Sequence, residues 1–198
     1  MRLSRQSRLN LFYHNQTRVK FNNLLCGGFT LLELMVTVAI IGIITTIAIP
    51  SFSAFLIKNR VDNQISELHR LILTAKNTAI NEGQNVTICP LNGTVCSGVN
   101  NWNGVIGVVS PDGVVKEKSA LTSGDRLLFS ATDLTYNARG NATINGNTPS
   151  GTALFRYCPM QNSFARGIQI TISGRSYISR DSNNDGSDQL RDGTNINC

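Results

Sequence analysis

Apolar positions along the chain fall into three regimes. From Phe29 to Ile49 they run almost without a break, and these 21 residues carry one ionisable side chain, Glu33. At 1.5 Å per residue a helix of that length covers about 30 Å, the thickness of a bilayer hydrocarbon core. Beyond Pro50 the apolar residues become spaced. Phe52, Leu56, Val61, Ile65, Leu68, Ile72, Ala75 and Ala79 recur at intervals of three to five, with Lys58, Arg60, Asp62, Glu67, Arg70 and Lys76 between them. This is the period of an amphipathic helix with one dry stripe. The pattern predicts one helical signal from Phe29 to about Ile80, kinked at Pro50, where a hydrogen bond is lost, and stopped at Gly83.

The third regime is a series of short β-type runs: Val86–Cys89, Val105–Ser110, Val114–Lys118, Leu127–Ser130, Ala153–Cys158, Ile168–Ser173 and Ser176–Ser179. Turn clusters separate them, among them Leu91-Asn92-Gly93, Asn145-Gly146-Asn147 and Pro111-Asp112-Gly113, the last a hairpin candidate between two Val-rich runs. The fold class expected is α+β: a long N-terminal helix, one half for lipid and one half amphipathic, packed on a mainly antiparallel sheet. The divisions are a leader at 1–28, a transmembrane helix at 29–50, its amphipathic continuation at 51–82 and a β-rich domain at 83–198.

Charge sets the topology. The net +6 is concentrated in residues 1–28, where Arg2, Arg5, Arg8, Arg18 and Lys20 stand without an acid, leaving +1 for the remainder. Basic flanks stay on the cytoplasmic side, so the chain after the apolar run faces outward. Cysteine usage agrees. Cys26 lies in the leader, and Cys89, Cys96, Cys158 and Cys198 read as two disulfides of an exported domain in an oxidising compartment. The expected pairs are Cys89–Cys96, closing a short loop, and Cys158–Cys198, tying the C-terminal segment to the sheet.

The start of the apolar run reads Gly27-Gly28-Phe29-Thr30-Leu31-Leu32-Glu33. It resembles the class III signal of type IV pilins and pseudopilins. The resemblance implies cleavage after Gly28 by a prepilin peptidase, N-methylation of Phe29, and filament assembly through Glu33, the Phe29 amine and Pro50. A carboxylate in an apolar helix costs about 2.5–3.5 kcal/mol, so it favours a cationic partner. The α-amine of Phe29, charged at neutral pH, is one that cleavage creates. The leader is longer than is usual in that family; a start at Val19 would leave a short one, still basic through Lys20.

The soluble part resembles the GspH/FimT group of minor pilins. The residues that carry this are Val86-Thr87-Ile88-Cys89 with Cys96, Trp102-Asn103-Gly104-Val105, Tyr136-Asn137-Ala138-Arg139-Gly140, Arg166-Gly167-Ile168, Gly174-Arg175 and Cys198. The implied partners are other pilins, the assembly machinery, the prepilin peptidase and membrane lipid around residues 29–49. The implied location is the bacterial inner membrane, single-pass, with the globular domain periplasmic, and incorporation into a pilus or pseudopilus. Some FimT members bind DNA through a Gly-Arg-x-Arg element. Here it reads Gly174-Arg175-Ser176-Tyr177, without the second Arg.

Residues 126–180 hold six Arg, no Lys and one acid, whereas 181–198 sum to −3. A basic stretch of this kind is an anion-binding patch, with double-stranded DNA as the candidate partner, an internally balanced surface, or scattered solvated arginines. The candidate DNA contacts are Arg175 and Arg180, then Arg166 and Arg139. Three function classes follow: a minor pilin that also binds DNA for uptake, a type II secretion pseudopilin, and a structural pilus-initiating subunit.

Asp181, Asn183, Asp185 and Asp192 have the spacing of oxygen ligands in a calcium loop, with Gly186 at the sixth place. Asp/Asn/Gly runs also form ordinary turns. No other cofactor is expected. With His14 in the leader and His69 in the amphipathic helix as the only histidines, no nucleophile–base arrangement assembles, and an enzyme is not expected.

Overall fold

The computed structural model describes residues 28–122, 124–160 and 164–198. The leader residues before Gly28, with Cys26, Gly27, His14 and the basic cluster, lie outside the described residues. The chain divides between Thr45 and Thr46 into two units.

Helix α1 spans Leu31–Glu82 and continues through Pro50. Thr30 starts it by accepting the Glu33 amide on its hydroxyl at 3.2 Å, the N-cap half of a Thr-x-x-Glu capping box. Gly83, at φ 66°, ends it. The Gln84 amide reaches back to the Ala79 carbonyl at 3.3 Å, the closure of a Schellman motif that only a left-handed residue permits cheaply.

The buried stripe of α1 is Val61, Ile65, Leu68, Leu71, Ile72, Ala75 and Ala79. Phe52 and Leu56, expected on the same face, are exposed. Their spacing continues the helical period, but the first helix residue that the β-rich domain buries is Val61.

Among the described residues ten strands follow: β1 (Val86–Asn92), β2 (Val95–Cys96), β3 (Ile106–Ser110), β4 (Gly113–Lys118), β5 (Arg126–Leu128), β6 (Leu134–Tyr136), β7 (Ala142–Ile144), β8 (Ala153–Cys158), β9 (Arg166–Ile170) and β10 (Ser176–Ile178). They form two sheets where one was expected. The first runs β4-β3-β1-β6-β7 with β2 added to β1; the second runs β10-β9-β8-β5. Neighbours in both are antiparallel. The Pro111-Asp112 loop joins β3 to β4 with Ser110 opposite Gly113, as the turn residues predict. Strands β2, β6 and β7 were not read from the sequence.

One apolar cluster joins the helix stripe to both sheets, through Ile88 and Val108 on the first and Phe155 and Ile168 on the second. Trp102 locks it. Its ring stands edge-on to Phe129 and Phe155, which stack at 3.9 Å, and its indole N–H donates to the Ala131 carbonyl at 2.8 Å. Asn103 accepts the Leu127 amide at 2.8 Å, so the Trp-Asn step ties the β2–β3 loop to β5. Cys89 bonds Cys96 within the β1–β2 hairpin, and Cys158 at the end of β8 bonds Cys198.

Candidate functional site

Two regions carry chemistry, the start of α1 and the basic side of the second sheet. At the first, Gly28 and Phe29 precede the helix and are exposed, as are the apolar side chains from Leu31 to Ile49 apart from a partly covered Thr37. The helix is long and apolar enough to cross a membrane by length and composition. Glu33 is also exposed, with its backbone committed to the Thr30 cap. Thr30 was not singled out in the sequence, although Thr followed three residues later by Glu is the signature of a helix start.

On the basic side, two turns meet. The β6–β7 turn is built by Asn137, whose side-chain oxygen accepts the amides of Arg139 at 2.9 Å and Asn141 at 3.0 Å. The β9–β10 turn closes through the Gly174 amide on the Thr171 carbonyl at 2.8 Å. Gly174 lies directly against the Gly140 carbonyl, and both glycines have positive φ, 69° and 76°. The contact places Arg139 and Arg175 on adjoining turns, and both are exposed. Lys76 of α1 joins them, with Nζ 3.1 Å from the Gly174 carbonyl and 3.5 Å from that of Ser173. Neither arginine makes an ion pair among the described residues. Lys76 is a cation of this site that the sequence did not nominate; its place about seven turns beyond Pro50 on the helix gives no sign of what it faces.

Arg180 is exposed but apart. It lies five positions beyond Arg175, about 16 Å along an extended chain. Its backbone pairs with Gln189. Arg166 is engaged elsewhere. Its guanidinium holds Asp188 at 2.8 Å and also Asp62 of α1, and its side chain is 25% exposed. The Ser179 hydroxyl donates to the same Asp188 carboxylate at 2.6 Å. Arg166 is therefore a clasp between helix, sheet and C-terminal segment, and its charge is balanced within the domain. Of the candidate DNA contacts, Arg166 is the one held in ion pairs among the described residues.

The calcium-loop candidates Asp181, Asn183, Asp185 and Asp192 spend oxygens on local turns. Asp181 accepts the amides of Asp185 at 3.2 Å and Gly186 at 3.0 Å, and Asp185 accepts that of Ser187 at 2.8 Å. The Asn183 side chain donates to Asp185, and Asp192 caps a separate turn through the Thr194 amide. The oxygens thus close the loop's own turns. Among the described residues no three His, Cys, Asp or Glu side chains gather as a metal-ligand set.

His69 is more than a wet helix residue. Its Nε2 lies 2.9 Å from Ser176 Oγ, which ties α1 to β10. Burial lowers its pKa, and the Ser176 backbone acts the other way. No carboxylate touches its second ring nitrogen among the described residues, so the pair lacks the orienting group of a nucleophile–base–acid arrangement.

A long apolar helix with a capped, Gly-Phe-preceded start, joined to a disulfide-bonded antiparallel domain, defines a pilin-like subunit. The chain belongs to the GspH family: the model of "Type II transport protein GspH" matches residues 64–175. That of the "Prokaryotic N-terminal methylation motif" matches residues 25–49. Among curated proteins, a fimbrial protein of Pseudomonas aeruginosa is 46% identical over 59 residues, 30% of this chain and 38% of that protein. The type IV major fimbrial protein FimA of Dichelobacter nodosus is 40% identical over 62 residues, 31% of this chain and 39% of that protein. The chain therefore spans under two-fifths of the length of either relative. The crystal structure of the type IV minor pilin FimU of Pseudomonas aeruginosa is similar with a TM-score of 0.49 at 17% identity, covering 64% of this chain and 92% of that one.

Proposed function

We propose that this chain is a minor subunit of a type IV pilus that grips DNA non-specifically for uptake. In this reading the prepilin peptidase cuts after Gly28, and Phe29 is methylated. Residues 29–49 anchor the subunit in the inner membrane, and the β-rich domain is periplasmic until the subunit joins a filament of other pilins through Glu33, the Phe29 amine and Pro50.

The observation that carries the DNA reading is the Gly140–Gly174 contact, which sets Arg139 and Arg175 on adjoining turns beside Lys76, with no acidic partner for either arginine among the described residues. A pilus that draws in DNA must hold any sequence, so phosphate contacts suffice and no base readout is required. Arg donates two hydrogen bonds from a planar fork, which suits phosphate oxygens. Arg180 extends the basic surface beyond the turns.

The test is a titration of the full chain in detergent micelles with duplex DNA at several salt concentrations. Binding weakens steeply with salt, and each phosphate-contacting Arg replaced by Gln flattens the log–log slope by about one. Unchanged binding by Arg139→Gln with Arg175→Gln excludes this site.

The description of the family as a type II transport protein favours a second reading, a pseudopilus subunit of protein export. Deletion of the gene separates the two. Loss of transformation with secretion intact fits the first, and the reverse fits the second.

A further inference from the structure

β10 is the outer strand of the second sheet. Thr171 donates its amide to the Arg175 carbonyl at 2.9 Å, and Ser179 to that of Gly167 at 2.9 Å. In the alternating antiparallel ladder, Tyr177 therefore bonds to β9, opposite Gln169. The main chains of Ser176, Ile178 and Arg180 point the other way. His69 covers the strand at Ser176. Gln189 covers it at Arg180, exchanging backbone bonds of 2.8 and 3.2 Å. The C-terminal segment then leaves the strand, because Leu190–Thr194 closes its own turn through Gly193 to Leu190 at 3.0 Å and Leu190 to Thr194 at 2.8 Å.

Between these two closures the edge opens at Ile178 onto a cleft of about 620 Å³, whose walls include His69, Ser176, Tyr177, Ile178, Arg180 and Arg191. No acidic residue lines it among the described residues. The Arg191 guanidinium carbon sits 4.2 Å from the centre of the Tyr177 ring. The cleft thus combines two guanidinium groups and an outward strand amide with a flat aromatic–cation stack. The cations select an anion, the planar stack favours a planar partner, and the volume lies in the range of small-molecule sites.

We propose that this cleft takes one unpaired nucleotide, its phosphate held by Arg180, Arg191 and the Ile178 amide and its base laid against the Tyr177–Arg191 stack. The identification of its source as a DNA strand rests on the DNA reading above. A duplex keeps its bases stacked inside and offers only phosphates, which the Arg139–Arg175 turns take equally from either form. The cleft adds a grip that only a single strand or a frayed end satisfies.

The experiment uses the full chain in detergent micelles, with oligothymidylate, a hairpin duplex, dAMP, inorganic phosphate and an acidic peptide as probes. Arg191→Gln and Tyr177→Leu each weaken oligothymidylate binding by at least about fivefold and leave the duplex within about twofold. Arg139→Gln with Arg175→Gln weakens both. dAMP shifts the ring resonances of His69 and Tyr177. Oligothymidylate binding unchanged in both cleft variants overturns the proposal. So does inorganic phosphate binding as tightly as dAMP, or an acidic peptide displacing dAMP as well as oligothymidylate does. A parent chain that binds no duplex at low salt overturns the DNA reading instead; dAMP that still shifts both rings then assigns the cleft to a free nucleotide, and absent shifts overturn the cleft too.

Discussion

Gly174 packs so closely on the carbonyl of Gly140 that a methyl group has no room between them, with Tyr136 blocking the adjacent space. The Gly of the Gly174-Arg175 step is thus required by packing as well as by its φ of 69°. Gly174→Ala must move one turn off the other, and the left-handed conformation adds strain. The expected loss of stability is about 1–3 kcal/mol. Duplex affinity falls as well, because Arg139 and Arg175 separate. Thermal melting together with a DNA titration checks this, and a variant that melts and binds like the parent rejects the contact as the organiser of the site.

Arg166 provides the opposite test. Held by Asp188 and Asp62, it is a structural cation, and Arg166→Gln leaves two carboxylates without their partner. Stability should drop by about 2–4 kcal/mol, discounted from the fully buried case because the Asp62 side chain is 40% exposed. The salt slope of DNA binding should not change. A slope flattened by about one would return Arg166 to the phosphate-contacting set.

These two glycine-framed and acid-framed arginines mark the limit of what the sequence makes legible. The long helix, its halt at Gly83, the hairpin at Pro111-Asp112 and most longer strands follow from local periodicity and turn chemistry. β6 and β7 are three residues each, too short for an alternation to register, and Asn137 to Gly140 between them reads only as a turn. The split into two sheets depends on register between distant strands. Arg139 and Arg166 look alike in sequence. What distinguishes them is Asp62, across a sequence separation of 104, and the meeting of two turns, neither of which periodicity encodes. Likewise, the helical period runs on through Phe52 and Leu56 and does not say where the domain stops covering the helix.

The two disulfides should contribute unequally. The Cys158–Cys198 bridge spans 40 residues and the Cys89–Cys96 bridge seven. By loop entropy the first contributes roughly 4 kcal/mol and the second roughly 2–3 kcal/mol. Melting of the paired Cys→Ser variants under non-reducing conditions should therefore show the larger loss for the C-terminal pair. The reverse order would mean that Arg166 and the Arg180–Gln189 bridge already hold that segment in place.

Processing is checked by mass. From cells with an active prepilin peptidase, the membrane-extracted chain should begin at N-methylated Phe29. Recovery of the intact leader would reject cleavage after Gly28. Thr30→Val, which removes the cap but not the glycine, should leave the cleavage site unchanged while costing the helix about 1 kcal/mol.

The pH dependence of stability should carry a contribution from His69. Burial against β10 disfavours its charged form, outweighing the opposing Ser176 backbone, so its folded-state pKa lies below the ordinary value. The native state then binds fewer protons than the unfolded chain wherever the imidazole titrates, and stability rises with pH there. The contribution is complete above the unfolded pKa of about 6.5. It is lost as the pH falls through the lower folded value. Protonation also turns Nε2 into an obligate donor to Ser176 and places a third positive charge beside Arg180 and Arg191. The measurement is a difference between two chains that share every other titrating group. Melting temperatures of the parent and His69→Gln are compared from about pH 7 down to about pH 5. The parent should lose stability faster over that interval, with the two curves converging as the pH falls. Parallel curves would show that His69 titrates alike in the folded and unfolded chain, and that its contact with Ser176 does not set its charge.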